Sequence, residues 1–361
     1  MMLLLGLCAG ALALGAANAL PPQPVQAAEA IVPPQADDAK ARLASGWADF
    51  KTRFVAPDGR VVDDGNAGVS HSEGQGYGML LAVAADDALT FSRLWGWTAR
   101  ELQRRPDGLA SWRWSPTAEP HLTDPNNATD GDLLIAWALT KAARRWHSPE
   151  YRAAARKIAL AVGAQATFKS RFGQTLKPAA SGFGPTDMAD GPIVNLSYWV
   201  FPALTALAEV APEVDWAALT RSGLAVLDAA RFGPAELPSD WISIAADPKP
   251  AQKFPADFSY DAIRVPLYLV WGGLQTPRRL EPFTRLSRNA AALTTVDVST
   301  GLPGKPFYDD GYAAIIRLAA CAAGTPVSRP AVPPAEKPHY FATALGLLSI
   351  LAAQDRGLPC V

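Results

Sequence analysis

The sequence predicts an all-α fold whose helices are joined by long loops that carry the function. Three observations predict it. Apolar residues recur at steps of three and four in segment after segment, and alternating strand-like stretches are scarce. The connecting stretches are long and rich in Gly, Pro, Asp, Asn and Trp, as in DGLASWRWSPTAEPHLTDPNNATDGD from Asp107 to Asp132. Loops of that length in a compact domain usually serve binding or catalysis.

Taken in order, residues 1–19 form an apolar run ending in Ala17-Asn18-Ala19, the A-x-A pattern of a secretory signal. A second possible site, Ala28-Glu29-Ala30, follows. The absence of Lys or Arg ahead of the run leaves a retained anchor as the competing reading. Residues 20–36, LPPQPVQAAEAIVPPQA, are too rich in Pro for helix and read as an extended tether. Residues 37–361 then form one folded domain. Helical patterning covers Ala39–Phe54, Gly76–Ala88, Leu89–Leu102, Asp132–Trp146, Tyr151–Ala164, Tyr198–Val210, Trp216–Ala230, Tyr260–Val270, Pro277–Leu293, Tyr312–Ala323 and Tyr340–Ala353. The fourth is the clearest, because Ile135, Ala138, Leu139, Ala142 and Trp146 make one apolar stripe. RPAVPPAEKP, from Arg329 to Pro338, links the last two. No repeat of fixed period is visible, yet helical hairpins of diverged sequence are compatible with a closed ring.

Composition narrows the function. With 361 residues, 49% of them hydrophobic, the chain can build one large core. Lys and Arg number 33 against 34 Asp and Glu, for a net charge of -1, so there is no field to hold nucleic acid. The four histidines fall in separate segments and no C-x-x-C occurs, so neither a metal nor another cofactor is expected. Once the leader is removed, Cys321 and Cys360 remain, either as a disulfide or as two free thiols.

Nucleophile-elbow, dinucleotide and phosphate-loop motifs are absent. Carboxylates at three loop-to-helix junctions remain. Glu73 lies in SHSEGQGYGM, where Ser72 and Gln75 have capping-box spacing, and a plain first-turn carboxylate is the structural alternative. Against that, three glycines at alternate positions are poor helix formers and would leave the carboxylate open to close approach. Asp130 and Asp132 open the next junction, NNATDGDLL, with Thr129 or Asp130 as a possible N-cap. Asp261 opens the third, DFSYDAIR, three residues before Arg264, which alone would read as a surface ion pair. Trp95, Trp97, Trp112, Trp114, Trp199, Trp241 and Tyr198 supply flat apolar faces nearby in sequence. Carboxylates with aromatic platforms and no metal fit glycosidic-bond hydrolysis.

SEGQGYGM, ATDGDLLIAWALTKAARRW, NLSY and SYDAIRVPLY also resemble, in order, the motifs of glycoside hydrolase family 8, from about Trp47 to Leu351. Thr140 and Leu196 depart from those motifs at positions away from the carboxylates. The resemblance implies an (α/α)6 barrel and an inverting enzyme acting on β-1,4-glucan. It makes Glu73 the general acid and Asp261 the general base, with Asp130 holding the sugar. Tyr260 and Arg264 would shape the base side, and Trp112 and Tyr198 would line sugar subsites. It further implies a secreted or periplasmic monomer serving a cellulose-synthesis or export complex. The alternatives are a xylanase, chitosanase or mixed-linkage glucanase of the same family, or a non-catalytic glucan-binding component of an export complex. The chemistry asks that Glu73 keep its proton near neutral pH. Burial against aromatic rings and an ionised Asp130 are expected to raise its pKa.

Overall fold

The structure, a computed structural model, describes residues 36–288, 293–326 and 337–360. The predicted signal and the predicted tether up to residue 35 lie outside the described residues, as does most of the predicted Arg329–Pro338 linker. Eleven α-helices are present among the described residues: α1 (Ala36–Phe54), α2 (Ser72–Ala84), α3 (Ala88–Glu101), α4 (Thr129–Arg145), α5 (Pro149–Gln165), α6 (Phe201–Leu207), α7 (Trp216–Ala229), α8 (Val265–Trp271), α9 (Pro277–Arg288), α10 (Asp310–Ala322) and α11 (Tyr340–Arg356).

Their packing closes a ring. Each of α2, α4, α6, α8, α10 and α11 contacts the next, and α11 returns to α2. Outside the ring α1 packs on α11, α3 on α2, α5 on α4, α7 on α6 and α9 on α10. This is the (α/α)6 barrel. Sequence distinguishes the two layers: α2 and α11 are apolar nearly all round and buried along most of their length, whereas α3 shows an apolar stripe of Phe91, Leu94 and Trp97 on one face only.

The closest inner pair, α2 and α4, depends on glycine. A Cβ on Gly76 would lie 2.5 Å from Leu134 Cβ, and one on Gly131 would lie 2.8 Å from the Glu73 backbone nitrogen. On the faces of α2 away from α4, a Cβ on Gly74 would meet the Tyr340 hydroxyl at 2.8 Å and one on Gly78 would meet Val61 at 2.9 Å. The alternate glycines of SEGQGYGM are therefore buried packing positions. The expectation that they open Glu73 to a ligand is corrected: protein atoms make the close approach.

The loops hold more strand than the sequence suggested. β1 (Ser70–His71), β2 (Ser111–Trp114) and β3 (Asp124–Asn127) form one antiparallel sheet with Ser70 opposite Trp114 and Ser111 opposite Asn127. β4 (Thr167–Ser170) and β5 (Gly173–Leu176) make a hairpin, and β6 (Ile193–Val194), β7 (Ile242–Ser243) and β8 (Lys249–Pro250) a second sheet. β9 (Asp257–Phe258), β10 (Thr294–Asp297) and β11 (Pro303–Pro306) make a third. β1, β3, β6 and β9 each run into the N-terminal side of an inner helix, so these small sheets gather at one end of the barrel. Two predicted helices are shorter than expected for the same reason. Tyr198–Val210 begins as a 3-10 turn at Leu196–Tyr198, and Tyr260–Val270 as another at Ala262–Arg264.

Cys321 and Cys360 are disulfide-bonded with their Cα atoms 5.9 Å apart, which fixes the segment after α11 to α10. Among the described residues no helix is long and apolar enough to cross a membrane.

Candidate active site

The N-terminal ends of α2, α4 and α8 converge on a cleft of about 170 Å³. It is lined by Glu73, Asp130, Asp261, Arg264, Tyr260, Trp112 and Tyr198, together with His71, Ser72, Ala128 and Phe341. All seven residues singled out from sequence thus meet in one place. Phe341 left no local signal, because only closure of the ring by α11 brings it there. His71 could have been found from its position next to Ser72; its ring lies parallel to that of Trp112, with centroids 5.8 Å apart.

Neither capping alternative is realised. The N-cap of α2 is His71 and that of α4 is Ala128, and neither side chain caps its helix. The Ser72 and Thr129 hydroxyls are buried without a hydrogen-bond partner among the described residues. Gln75 is buried below, where it donates to the Gly59 and Leu94 carbonyls and to Thr98 Oγ1, and accepts from the Val61 N–H. Glu73 accepts from no helix N–H, and Asp130 gives only its Oδ1 to the Gly131 N–H at 2.8 Å, which leaves Oδ2 for another partner.

Their shared partner is Arg264. Its Nη1 donates to Glu73 Oε1 and, at 2.9 Å, to Asp130 Oδ2, while Nη2 donates to Asp261 Oδ1 at 2.5 Å. The residue is 2% exposed, so the reading of Arg264–Asp261 as a surface pair is corrected: Arg264 is a buried hub for three carboxylates. Its guanidinium also lies 5.8 Å from the Tyr198 ring and 5.9 Å from that of Phe341, which pack on its faces. The flat fork of an arginine suits this task, since a lysine could not reach three acids in fixed directions.

Glu73 has one more partner: the Tyr77 hydroxyl donates to Oε1 at 3.0 Å and is itself 2.8 Å from the Tyr268 hydroxyl. Burial raises the Glu73 pKa and the Asp261 carboxylate adds to the rise, while Arg264 and Tyr77 oppose it. Asp130 is raised as well, chiefly by burial and then by Glu73. The expectation of a fixed, ionised Asp130 beside a protonated Glu73 is therefore revised. Burial supplies the main push on each, and the two acids compete for the same cation.

The aromatic residues divide sharply. Trp112 lines the cleft and its Nε1 donates to Asp124 Oδ2 at 2.8 Å, which fixes the ring. Tyr260 is 44% exposed, the most open aromatic at the site. Trp97 and Trp199 are core residues. Trp241 stacks against Phe183 and Phe254, with centroids 5.4 and 4.5 Å away. Asp132 is buried beneath the cleft, where it accepts from the Ala110 N–H and from Asn127 Nδ2, and burial pushes its pKa up to about 7. No group of three or more His, Cys, Asp or Glu among the described residues is arranged to hold a metal ion.

A helical ring whose inner-helix starts bring three acid groups together at the floor of an aromatic-lined cleft is the architecture of a glycoside hydrolase. The chain belongs to glycosyl hydrolase family 8, whose description, "Glycosyl hydrolases family 8", matches residues 27–355. It is 39% identical over 326 residues to a "Probable endoglucanase" of Novacetimonas hansenii, spanning 89% of this chain and 93% of that one. It is similar in structure to the endo-beta-1,4-glucanase CMCax of Acetobacter xylinum, with a TM-score of 0.80 and 38% identity, covering 88% and 100% of the two chains. Endoglucanase Cel10 of Klebsiella pneumoniae gives a TM-score of 0.78 at 35% identity, covering 86% and 99%.

Proposed function

We propose that this chain is an endo-acting β-1,4-glucanase that inverts configuration at the cleaved bond, with Glu73 as general acid and Asp261 as general base. One observation carries the reading: carboxylates from three separate inner-helix starts meet on a single buried arginine at the floor of an open, aromatic-lined cleft.

Each residue then has a task. Arg264 and Tyr77 both donate to Oε1 of Glu73, which leaves Oε2 to carry the proton that passes to the leaving oxygen. The raised pKa keeps that proton in place until the bond breaks. Asp261, turned by Nη2 of Arg264, takes the proton of a water attacking the opposite face of the sugar. Asp130 accepts a hydroxyl of the sugar at the cleavage point, and Trp112, Tyr198 and Tyr260 present ring faces to the pyranose units.

Reducing-end release from a soluble cellulose derivative, by wild type and by Glu73→Gln, tests the reading. The expected result is activity in the wild type alone, with the α-anomer appearing first by NMR. Wild-type activity confined to xylan, chitosan or mixed-linkage glucan would move the substrate within the family, and inactivity on all of them would favour a glucan-binding component. Action outside the cytoplasm, in the periplasm or beyond, is part of the proposal. It is supported by the Cys321–Cys360 bond, since such bonds persist in oxidising compartments. Service to a cellulose-synthesising complex follows from the motif resemblance. Co-purification of the two from envelope extracts would test it.

A further inference from the structure

Asp240 has no part in the reaction as described, yet it is a fourth carboxylate beside the three on Arg264. It lies two residues before β7, and its backbone N–H donates to the Asp257 carbonyl at 2.8 Å. Its Oδ1 accepts from the N–H of Ser259 at 2.9 Å and from the N–H of Ala262 at 2.8 Å, and its Oδ2 accepts from the Ser259 hydroxyl. These bonds bracket Tyr260 and Asp261 from both sides. Asp261 is the N-cap residue of the 3-10 turn Ala262–Arg264, but its own side chain makes no capping bond. The N–H groups an N-cap side chain ordinarily takes, those of Ile263 and Arg264, are bonded to the Ser259 and Asp261 carbonyls at 3.0 Å, so the Ala262 N–H is the one left for a carboxylate. An aspartate can take the N–H that follows it, as Asp130 takes that of Gly131 at 2.8 Å. Here Asp240 takes the Ala262 N–H instead.

We propose that Asp240 is a positioning residue that caps this turn in place of Asp261, so that the Asp261 carboxylate stays turned toward Arg264 and the cleft. Without it, the free Ala262 N–H would compete for Asp261 and draw it out of line with the attacking water. The arrangement works against electrostatics. Asp261 is the charged neighbour that acts on Asp240, with Arg264 on its far side, and burial followed by Asp261 pushes the Asp240 pKa up to about 6. A second carboxylate is tolerated there because three donors hold it.

The inference rests on the role of Asp261 as general base, and the test separates the two. Asp240→Ala, Asp261→Ala and the double variant are assayed on an activated aryl cello-oligosaccharide. Displacing a catalytic group by about 1 Å costs roughly 10²-fold. Asp240→Ala is therefore expected to lower kcat by about 10- to 100-fold with KM within about twofold, and to cost nothing further in the Asp261→Ala background. Asp240→Asn, which keeps an oxygen for the two N–H groups, is expected to restore kcat to within about fivefold. The acidic limb of its pH profile moves to lower pH, because the negative charge of Asp240 no longer stands beside the base. Wild-type kcat in Asp240→Ala, losses that simply add to those of Asp261→Ala, or an unmoved limb in Asp240→Asn would each overturn the proposal. If Asp240→Ala fails to fold, the limb decides. Full activity in Asp261→Ala would instead sink the base assignment itself.

Discussion

Glu73 was findable from its setting among serine and glycines, but its duty was not, because capping-box spacing and a catalytic carboxylate look alike in one dimension. What separates them is the partner, and Arg264 lies in another junction altogether. Glu73→Gln is expected to lower turnover by about 10²- to 10⁴-fold while leaving the unfolding midpoint unchanged or higher, since the charge it removes is one that burial disfavours. A midpoint that fell with activity intact would return Glu73 to a structural role. Arg264→Met is expected to do the reverse in degree. It strands three carboxylates at the floor of the cleft, and losing one side of a buried ionic cluster costs about 3 to 5 kcal/mol. Urea unfolding should show that loss at pH 7.5 and much less of it at pH 4.5, where protons can take the place of the guanidinium.

At the scale of elements, the long helices were legible because their apolar residues recur with the helical period. The strands were not, because all of them among the described residues are two or four residues long and too brief to show alternation. The same brevity explains why Tyr198 and Tyr260 read as helix starts when both belong to turns ahead of shorter helices. Glycine was legible as an anomaly in α2, but its causes lay in α4, in Tyr340 of α11 and in Val61, and could not be seen from α2 alone. The α4 contact is testable. Gly131→Ala places a methyl group against Ser72 and the Glu73 backbone, so overpacking of about 1 to 3 kcal/mol should appear together with a fall in kcat. Thermal unfolding and turnover would be measured side by side. A stability loss with unaltered kcat would mean that α2 absorbs the strain without moving the acid.

For the whole molecule, closing the ring requires α11 to reach α2 across the entire chain, and the Cys321–Cys360 bond secures the end of that helix. A bond closing a loop of this size removes about 4 kcal/mol of unfolded-state freedom. Reduction, or Cys360→Ser, should therefore lower stability by about 2 to 4 kcal/mol in urea titrations. The titration of Asp132 works in a definite direction. Its pKa rises from 3.8 to about 7 on folding, so the folded state binds a proton that the unfolded chain releases. The stability it contributes is fully present below pH 3.8 and is lost as the pH rises through about 7. The unfolding midpoint should accordingly fall between pH 5 and pH 8, and a midpoint that climbed over that range would refute it. The hub at Arg264 has a consequence for traffic through the cleft as a whole. Glu73 keeps its proton, but above about pH 7, where Asp130 ionises, Asp130 and Asp261 together answer to one guanidinium, so the floor then repels a polymer that brings negative charge of its own. A neutral glucan passes this filter with an affinity indifferent to ionic strength, whereas a uronate-bearing or phosphorylated chain is turned away, and adding salt should soften the refusal.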